Sequence, residues 1–257
     1  MATEAALERA RCWLRRQRLE IEPSPLVVGR LEARRRGARA EIVTELAGVI
    51  ALLTWMFLVH GGDDPVTNQA WSIGIIGIVV VGMLVGFWWQ RRVERPLLAG
   101  HPTRAAHPAA AGVERVLGRA HLRAAVAVYG GGLLLGTALA MFAPPGTARG
   151  LALVFLAGVT VLGALSGLAL ATTLRRPSLA DDAESLLVDD ALRTEDARRA
   201  TLPYVLIVAL MFAMDPTIGL GSPASMALLG YAVAGGACWY LAERNARCAR
   251  KVEPAVR

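Results

Sequence analysis

The chain has 257 residues, of which 54% are hydrophobic, and its 28 Lys+Arg against 21 Asp+Glu give a net charge of +7. A mean hydropathy of +0.44 is unusual for a soluble domain, in which about a quarter of the residues are charged and apolar runs are short. The charges must therefore be segregated from long apolar stretches. This excludes a soluble globular enzyme and a disordered chain, and it predicts an all-α, polytopic membrane protein.

The first predicted element is a basic arm over residues 1–42. Apolar residues recur at helical spacing from Ala6 to Leu14, with arginines largely around the stripe. A basic amphipathic helix with a tryptophan is typical of segments in the headgroup layer of an anionic leaflet. Nucleic acid is not expected as a partner, because no recognition motif accompanies the charge. The residues expected at the membrane surface are Trp13, Arg11, Arg15, Arg16 and Arg18.

Six segments are apolar and long enough, or nearly so, to cross a bilayer core about 30 Å thick as helices. Asp215 and Pro216 interrupt the fifth. Its helix is therefore expected either to kink or to end in the outer leaflet and continue as a short re-entrant piece. The predicted spans cover residues 43–60, 71–89, 124–142, 151–173, 202–220 and 223–241.

Glycines four residues apart recur within these apolar segments. Gly82 with Gly86 and Gly132 with Gly136 are two such pairs. This spacing lets helix backbones approach closely in lipid, where hydrophobicity gives helices no reason to meet. The pairs predict either a compact bundle or the contact face of a homo-oligomer.

The connecting segments divide the positive charge between two sides. Lys+Arg number 10 in residues 1–42, 7 in 90–123, 5 in 174–201 and 5 in the tail 242–257, whereas the opposite side holds only Arg149. Because cytoplasmic loops carry the positive charge, both termini are expected in the cytoplasm. Arginine replaces lysine almost throughout and alanine is abundant, which indicates a G+C-rich coding bias. We therefore expect a multi-pass protein of a bacterial inner membrane.

The cytoplasmic segment 174–201 differs from its neighbours, because it holds 5 basic and 7 acidic residues while 90–123 holds 7 basic and 2 acidic. Apolar residues recur in it at helical spacing after Ser178, a suitable N-cap. We expect a helix that docks either on segment 90–123 or on a cytoplasmic partner protein. The candidate docking residues are Leu179, Ala183, Leu186, Leu187, Asp189, Asp190 and Leu192.

A candidate polar site on the outer side involves Asp215, the one acid expected at depth there. Ionisable residues inside a membrane are expensive and usually functional, so Asp215 could bind a cation or a substrate and pair with Arg149. Alternatively, Asp215 and Pro216 end a helix at the water interface.

Motifs for catalysis or cofactor binding are missing from the sequence. The single lysine, Lys251, is followed by valine, so there is no P-loop and nucleotide hydrolysis would need another subunit. The 4 histidines and 3 cysteines show no zinc-ligand or CxxC spacing. We therefore expect a protein that is not an enzyme and that binds no cofactor and no metal.

In layout the chain resembles the small six-helix permeases of bacterial ABC-2-type exporters, which share six spans, cytoplasmic ends and short outer loops. The acidic segment 174–201 departs from that layout. The resemblance implies a permease-like subunit that relies on a separate ATPase. The alternative is a membrane-embedded interaction or regulatory protein that binds a cytoplasmic partner through segments 90–123 and 174–201.

Overall fold

The computed structural model describes residues 4–59, 65–99, 112–175, 183–214 and 222–252. All regular structure within these ranges is helical, which confirms the predicted all-α class. The described helices are α1 (Glu4–Arg16), α2 (Pro25–Val59), α3 (Pro65–Ala99), α4 (Val113–Leu117), α5 (Arg119–Phe142), α6 (Thr147–Leu174), α7 (Ala183–Ala200), α8 (Tyr204–Ala213) and α9 (Pro223–Val252).

Within the described residues, four helices are long and apolar enough to cross a membrane. They comprise Ser72–Trp89 of α3, all of α5, all of α6, and Pro223–Ala246 of α9. The membrane character predicted from the composition is therefore supported. The predicted spans 43–60 and 202–220 fall on α2 and α8, which are not among the four.

Two compact units divide the chain. The first contains α1, α2 as far as Ile50, α3 from Ile78, and α7 as far as Glu195. The second contains the remaining parts of these helices together with α4, α5, α6, α8 and α9.

In the first unit, local backbone chemistry sets the ends of α1 and α2. Arg18 has a φ of +59°, the left-handed conformation that commonly follows a helix C-terminus. Ser24 then begins α2, because its carbonyl accepts a hydrogen bond from Val28 N at 3.1 Å and its hydroxyl one from Val27 N at 3.4 Å. The chain reverses between these two points, so that α1 packs on α2.

The first unit also brings acidic side chains of α2 onto the glycines of α3. A Cβ built on Gly82 would lie 2.5 Å from Glu45 Cγ, and one on Gly86 would lie 2.9 Å from Glu41 Oε2. These two glycines therefore admit the side chains of Glu41 and Glu45, which any larger residue would displace. At this pair the glycines thus accommodate two acidic side chains of α2, and no backbone atom of α2 is among their nearest neighbours.

The second unit is a helical bundle in which α5 packs on α6 and α9, and α8 packs on α6 and α9. At the centre, the rings of Phe155 and Phe212 lie 5.5 Å apart between centroids. Gly136 lies close to the backbone of α6, since a Cβ there would be 3.2 Å from Leu156 Cα. Its partner Gly132 makes room for Tyr231, whose hydroxyl donates to Val128 O at 2.6 Å.

Helix α8 has only 10 residues, a rise of about 15 Å, and it is buried along most of its length. Buried helix ends need partners for their backbone groups. The Tyr129 hydroxyl donates to Leu202 O at 2.8 Å just before α8, and it lies 2.9 Å from Ser166 Oγ. At the other end, Ser225 Oγ donates to Ala213 O at 2.8 Å. Hydroxyls from α5 and α9 thus satisfy two carbonyls, one in the residues that lead into α8 and one at its C-terminal end.

We expect Gly132→Ala to destabilise the protein and Gly130→Ala to stabilise it, although both replace a glycine of α5. A Cβ at Gly132 would lie 2.8 Å from the Tyr231 hydroxyl, while a Cβ at Gly130 meets nothing within 4 Å. Overpacking costs about 1–3 kcal/mol, whereas alanine in an open helical position gains roughly 1 kcal/mol over glycine. Denaturant unfolding in detergent micelles measures both, and equal effects would contradict the described packing.

Candidate functional site: the buried charge cluster that holds helix α7

One face of α7 forms part of the core of the first unit. Val188 and Leu192 are 1% and 0% exposed and cluster with Leu14 of α1 and Val27 of α2. Trp13 packs against the same cluster. The acidic segment therefore docks on the N-terminal arm of its own chain through an apolar contact.

A buried aspartate joins this contact to α2. Asp189 Oδ1 accepts a hydrogen bond from Arg30 Nη2 at 2.7 Å, and both side chains are 4% exposed. Its second oxygen, Oδ2, accepts one from Arg193 Nη2 at 3.2 Å, one turn along α7. Each carboxylate oxygen thus has a guanidinium partner, as a charge withdrawn from water requires.

Two further hydrogen bonds fix α7 on the arm. Arg34 Nη2 donates to the backbone oxygen of Leu192 at 3.0 Å, and Trp13 Nε1 donates to Glu195 Oε2 at 2.9 Å. We call the set Arg30, Arg34, Asp189, Arg193 the α7 anchor. Arg30 and Arg34 of α2 bind α7 at two positions, Asp189 and Leu192. These two contacts hold α7 in one rotation and one register on α2.

The docking residues predicted from the sequence separate into two faces. Asp189 and Leu192 point into the first unit, whereas Leu186, Leu187 and Asp190 are exposed. Ala183 is the first residue of α7, and Leu179 lies outside the described residues. The sequence also predicted docking on segment 90–123. Within the described residues of the second unit, Ala197 of α7 forms an apolar cluster with Val116 and Leu117 of that segment.

Sequence reasoning missed the N-terminal arm as the partner of α7. Both the arm and segment 90–123 are basic, so charge complementarity with the acidic segment fitted either of them. Arg30 and Arg34 are four residues apart and therefore share one face of α2. Arg35 and Arg39 have the same spacing, so the sequence alone does not single out the pair that meets α7.

Two of the residues predicted at the membrane surface, Arg11 and Trp13, have specific partners within the first unit. Arg11 forms ion pairs with Glu22 at 2.6 Å and Glu8 at 3.0 Å, and the hydrogen bond that it donates to Glu22, followed by that to Glu8, raises the pKa of Arg11. Trp13 is half-buried against α7. Arg15 and Arg16 end α1 and are exposed, and Arg18 follows at the positive φ.

The stripe of α1 that was expected to face the headgroup layer is buried within the protein. Ala6, Ala10 and Leu14 are 6%, 1% and 1% exposed. The amphipathic pattern thus predicted the helix correctly, and its apolar face packs against α2 and α7 in this unit. The exposed face of α1 is the one that carries the arginines.

The predicted outer polar site is described only in part. Arg149 is exposed at the start of α6 and donates from Nη2 to Ala143 O at 3.2 Å, which closes the loop between α5 and α6. Asp215 lies outside the described residues.

A second polar cluster, in the second unit, surrounds His121 at the start of α5. Its side chain is 1% exposed, its Nε2 lies 3.1 Å from Glu243 Oε2, and its ring meets Trp239 edge to face at 5.2 Å. The sequence suggested only a surface histidine at this position. The structure corrects this expectation, because the histidine is buried within the second unit against Trp239 and Glu243.

No protein-family model matches the chain, and no curated protein or solved structure is significantly similar to it. Within the described ranges, no three His, Cys, Asp or Glu side chains lie together in a way that could hold a metal ion.

Asp189→Asn should destabilise the first unit far more than Asp190→Asn, although the two acids are adjacent. Removing the Asp189 charge leaves the buried Arg30 without its counter-charge, which costs about 3–5 kcal/mol, while an exposed substitution changes stability by about 0.5 kcal/mol or less. Limited proteolysis of α1 and α7 in the purified full chain measures the difference. Equal protease resistance of the two variants would show that the buried pair does not hold α7.

Acid should weaken the contact between α1 and α2 through Glu32. The hydrogen bond from Arg9, at 3.1 Å from Nε, lowers the pKa of Glu32 below its ordinary value of 4.5. Because the folded pKa is depressed, the stabilisation is present above pH 4.5 and is lost as the pH falls through the folded value. The stability of Glu32→Gln should therefore fall less steeply with acid than that of the wild type. Parallel stability curves for the two proteins below pH 4.5 would contradict the contact.

Proposed function

We propose that the chain is a non-catalytic, multi-pass membrane subunit on which a cytoplasmic protein docks through the exposed face of α7. The observation that carries this proposal is the division of α7 into two faces. Asp189 is fixed by buried arginines on one face, while Leu186 and Leu187 remain 37% and 51% exposed on the other. A helix that is rigidly held and yet exposes adjacent leucines beside Asp190 is suited to transmit force or information to a partner.

We infer six crossings with both termini in the cytoplasm, in a bacterial inner membrane whose anionic leaflet faces the arginines of the N-terminal arm. The distribution of positive charge supports this arrangement, since Arg149 alone falls on the outer side. The end of α3 also supports it, because Arg91 lies 4.3 Å over the ring of Phe87 and Arg92 lies 4.9 Å over that of Trp88. Aromatic rings paired with arginines are typical of the inner interface.

The partner class we favour is a separate ATPase, which would make the chain the permease-like half of an export system. The chain has no P-loop of its own, so energy from nucleotide hydrolysis would have to enter through a docked subunit. The layout of six spans with short outer loops supports this version. The second version is a membrane-embedded regulatory protein that binds a cytoplasmic partner through the same helix.

Replacing Leu186 and Leu187 by Asp should remove the partner from the complex isolated in mild detergent, because it places charge in an apolar contact. Both side chains are exposed, so the first unit should stay folded. The control is Ala5→Asp on the exposed face of α1, which adds charge to the same unit away from α7.

Stoichiometric recovery of a nucleotide-binding protein with the wild type and with Ala5→Asp, and its loss from the leucine variant, would support the exporter subunit. Recovery of a protein without a nucleotide-binding site, lost in the same way, would favour the regulatory version. Recovery of the chain alone, as a homo-oligomer, would contradict both.

The inferred topology predicts opposite accessibility for two single cysteines in a background without the native ones. Arg149→Cys should react with a membrane-impermeant thiol reagent added to whole cells, and Asp190→Cys should react only after the membrane is opened. Both positions are exposed in the structure, so protein burial would not mask either one. Labelling of both from the same side would rule the topology out.

A further inference from the structure

A cleft of about 380 Å³ lies between α1 and α2 in the first unit. Its floor is apolar and includes Ala10 and Val28, which are 1% and 3% exposed. Trp13 and Leu31 form apolar parts of the wall. The polar lining comes from Arg9, Arg16, Glu32 and Arg35, with Cys12 among the exposed residues of the lining.

The charged side chains around this cleft differ in whether they have a hydrogen-bonded partner. Arg9 is bound to Glu32 and is therefore neutralised within the cleft. Arg16 and Arg35 also line the cleft, and in the part of the chain that the structure describes neither donates a hydrogen bond, although the charge of Arg35 attracts the Glu32 carboxylate and helps to lower its pKa. Two guanidinium groups, with donors to spare, thus face a cavity that has an apolar floor.

We propose that this cleft binds a phosphate ester, with the phosphate between Arg16 and Arg35 and the carbon-bearing part against Trp13 and Leu31. The planar guanidinium matches phosphate oxygens with two parallel hydrogen bonds, which gives geometric selectivity beyond charge. The apolar floor accepts a carbon moiety that inorganic phosphate lacks. Two sources share this chemistry: the headgroup of an anionic phospholipid, and a soluble phosphate ester.

The proposal differs from a general attraction of the basic arm to an anionic surface. Such attraction depends on the number of charges and falls off within a Debye length, so all exposed arginines of the arm would contribute alike. A built site depends on position. Arg15 and Arg36 supply the control, because each is the exposed sequence neighbour of a proposed ligand and neither lines the cleft.

The lipid source is tested with the full chain in neutral detergent, by native mass spectrometry in the presence of phosphatidylglycerol or phosphatidylcholine. We expect one phosphatidylglycerol to be retained selectively. The affinity should fall about tenfold or more in the double variant Arg16→Gln, Arg35→Gln, since that variant removes both positive charges proposed to hold the phosphate. The charge-matched variant Arg15→Gln, Arg36→Gln should keep the wild-type affinity.

The soluble source is tested with glycerol phosphate, and inorganic phosphate serves as the comparison. Peptide mapping follows the alkylation of Cys12, which lines the cleft and is exposed. Glycerol phosphate should protect Cys12 in the wild type and in the Arg15, Arg36 variant, but not in the Arg16, Arg35 variant. Phosphatidylglycerol that protects Cys12 where glycerol phosphate does not would identify the lipid as the source.

Equal loss of binding in the two double variants would overturn the proposal, because it would reduce the cleft to surface charge. Absence of binding and of Cys12 protection with both ligands would overturn it as well. Only the lipid source rests on the proposed position of the arm at an anionic leaflet. Docking of a cytoplasmic protein on α7 is measured separately, so either proposal can fail alone.

Discussion

Asp189 bears a carboxylate at a position where only 4% of its side chain reaches solvent, and the first unit is arranged around that charge. A buried carboxylate is tolerated only where its oxygens meet donors, and here Arg30 and Arg193 supply them at 2.7 and 3.2 Å. The pair adds little by itself to the free energy of folding, because withdrawing two charges from water offsets most of their attraction. Its effect is specificity, since a rotation of α7 that separated Asp189 from Arg30 would leave a buried arginine without its counter-charge.

Buried polar groups also need hydrogen-bond partners in the second unit, where the groups around α8 are uncharged. Helix α8 is too short to cross a bilayer alone, and its C-terminal end leaves carbonyls without intrahelical partners inside a helical bundle. Ser225 donates to the oxygen of Ala213 at that end, and Tyr129 donates to the oxygen of Leu202 in the residues that lead into the helix. A helix end is acceptable in an apolar environment only where its backbone groups find such partners. The short helix and its two hydroxyl partners therefore form one structural feature.

Much of this architecture could be predicted from the sequence. Apolar length predicted six spans, and four of them coincide with helices that are long and apolar enough to cross a membrane within the described residues. Of the fifth segment the structure describes α8, which ends at Ala213, whereas Asp215 and Pro216 lie outside the described residues. Helical spacing identified α7 and α1. Each of these properties is local, because it depends on residues within a few turns of one another.

The sequence could not predict in this way which other element the faces of α1 and α7 pack against. The apolar stripe of α1 fits lipid or protein equally well by composition, and the structure buries Ala10 and Leu14 in protein. The acidic segment packs on the basic arm that offers Arg30 and Arg34, and its Ala197 packs on Val116 and Leu117 of the other basic segment. Which distant elements pair depends on the tertiary fold, because Asp189 and Leu192 follow Arg30 and Arg34 by about 160 residues in the chain.

The central claim is that α1, α2 and α7 form one cooperative element, in which Asp189 joins α7 to α2 and Leu14 packs α1 against both, so that the Leu186 and Leu187 face of α7 is left for a partner. Hydrogen exchange of the full chain, read peptide by peptide, measures this directly. In Asp189→Asn the amides of α1 and of α7 should lose protection together and by the same factor, while those of α5 and α6 stay unchanged. Loss of protection in α7 with α1 unaffected would contradict the claim.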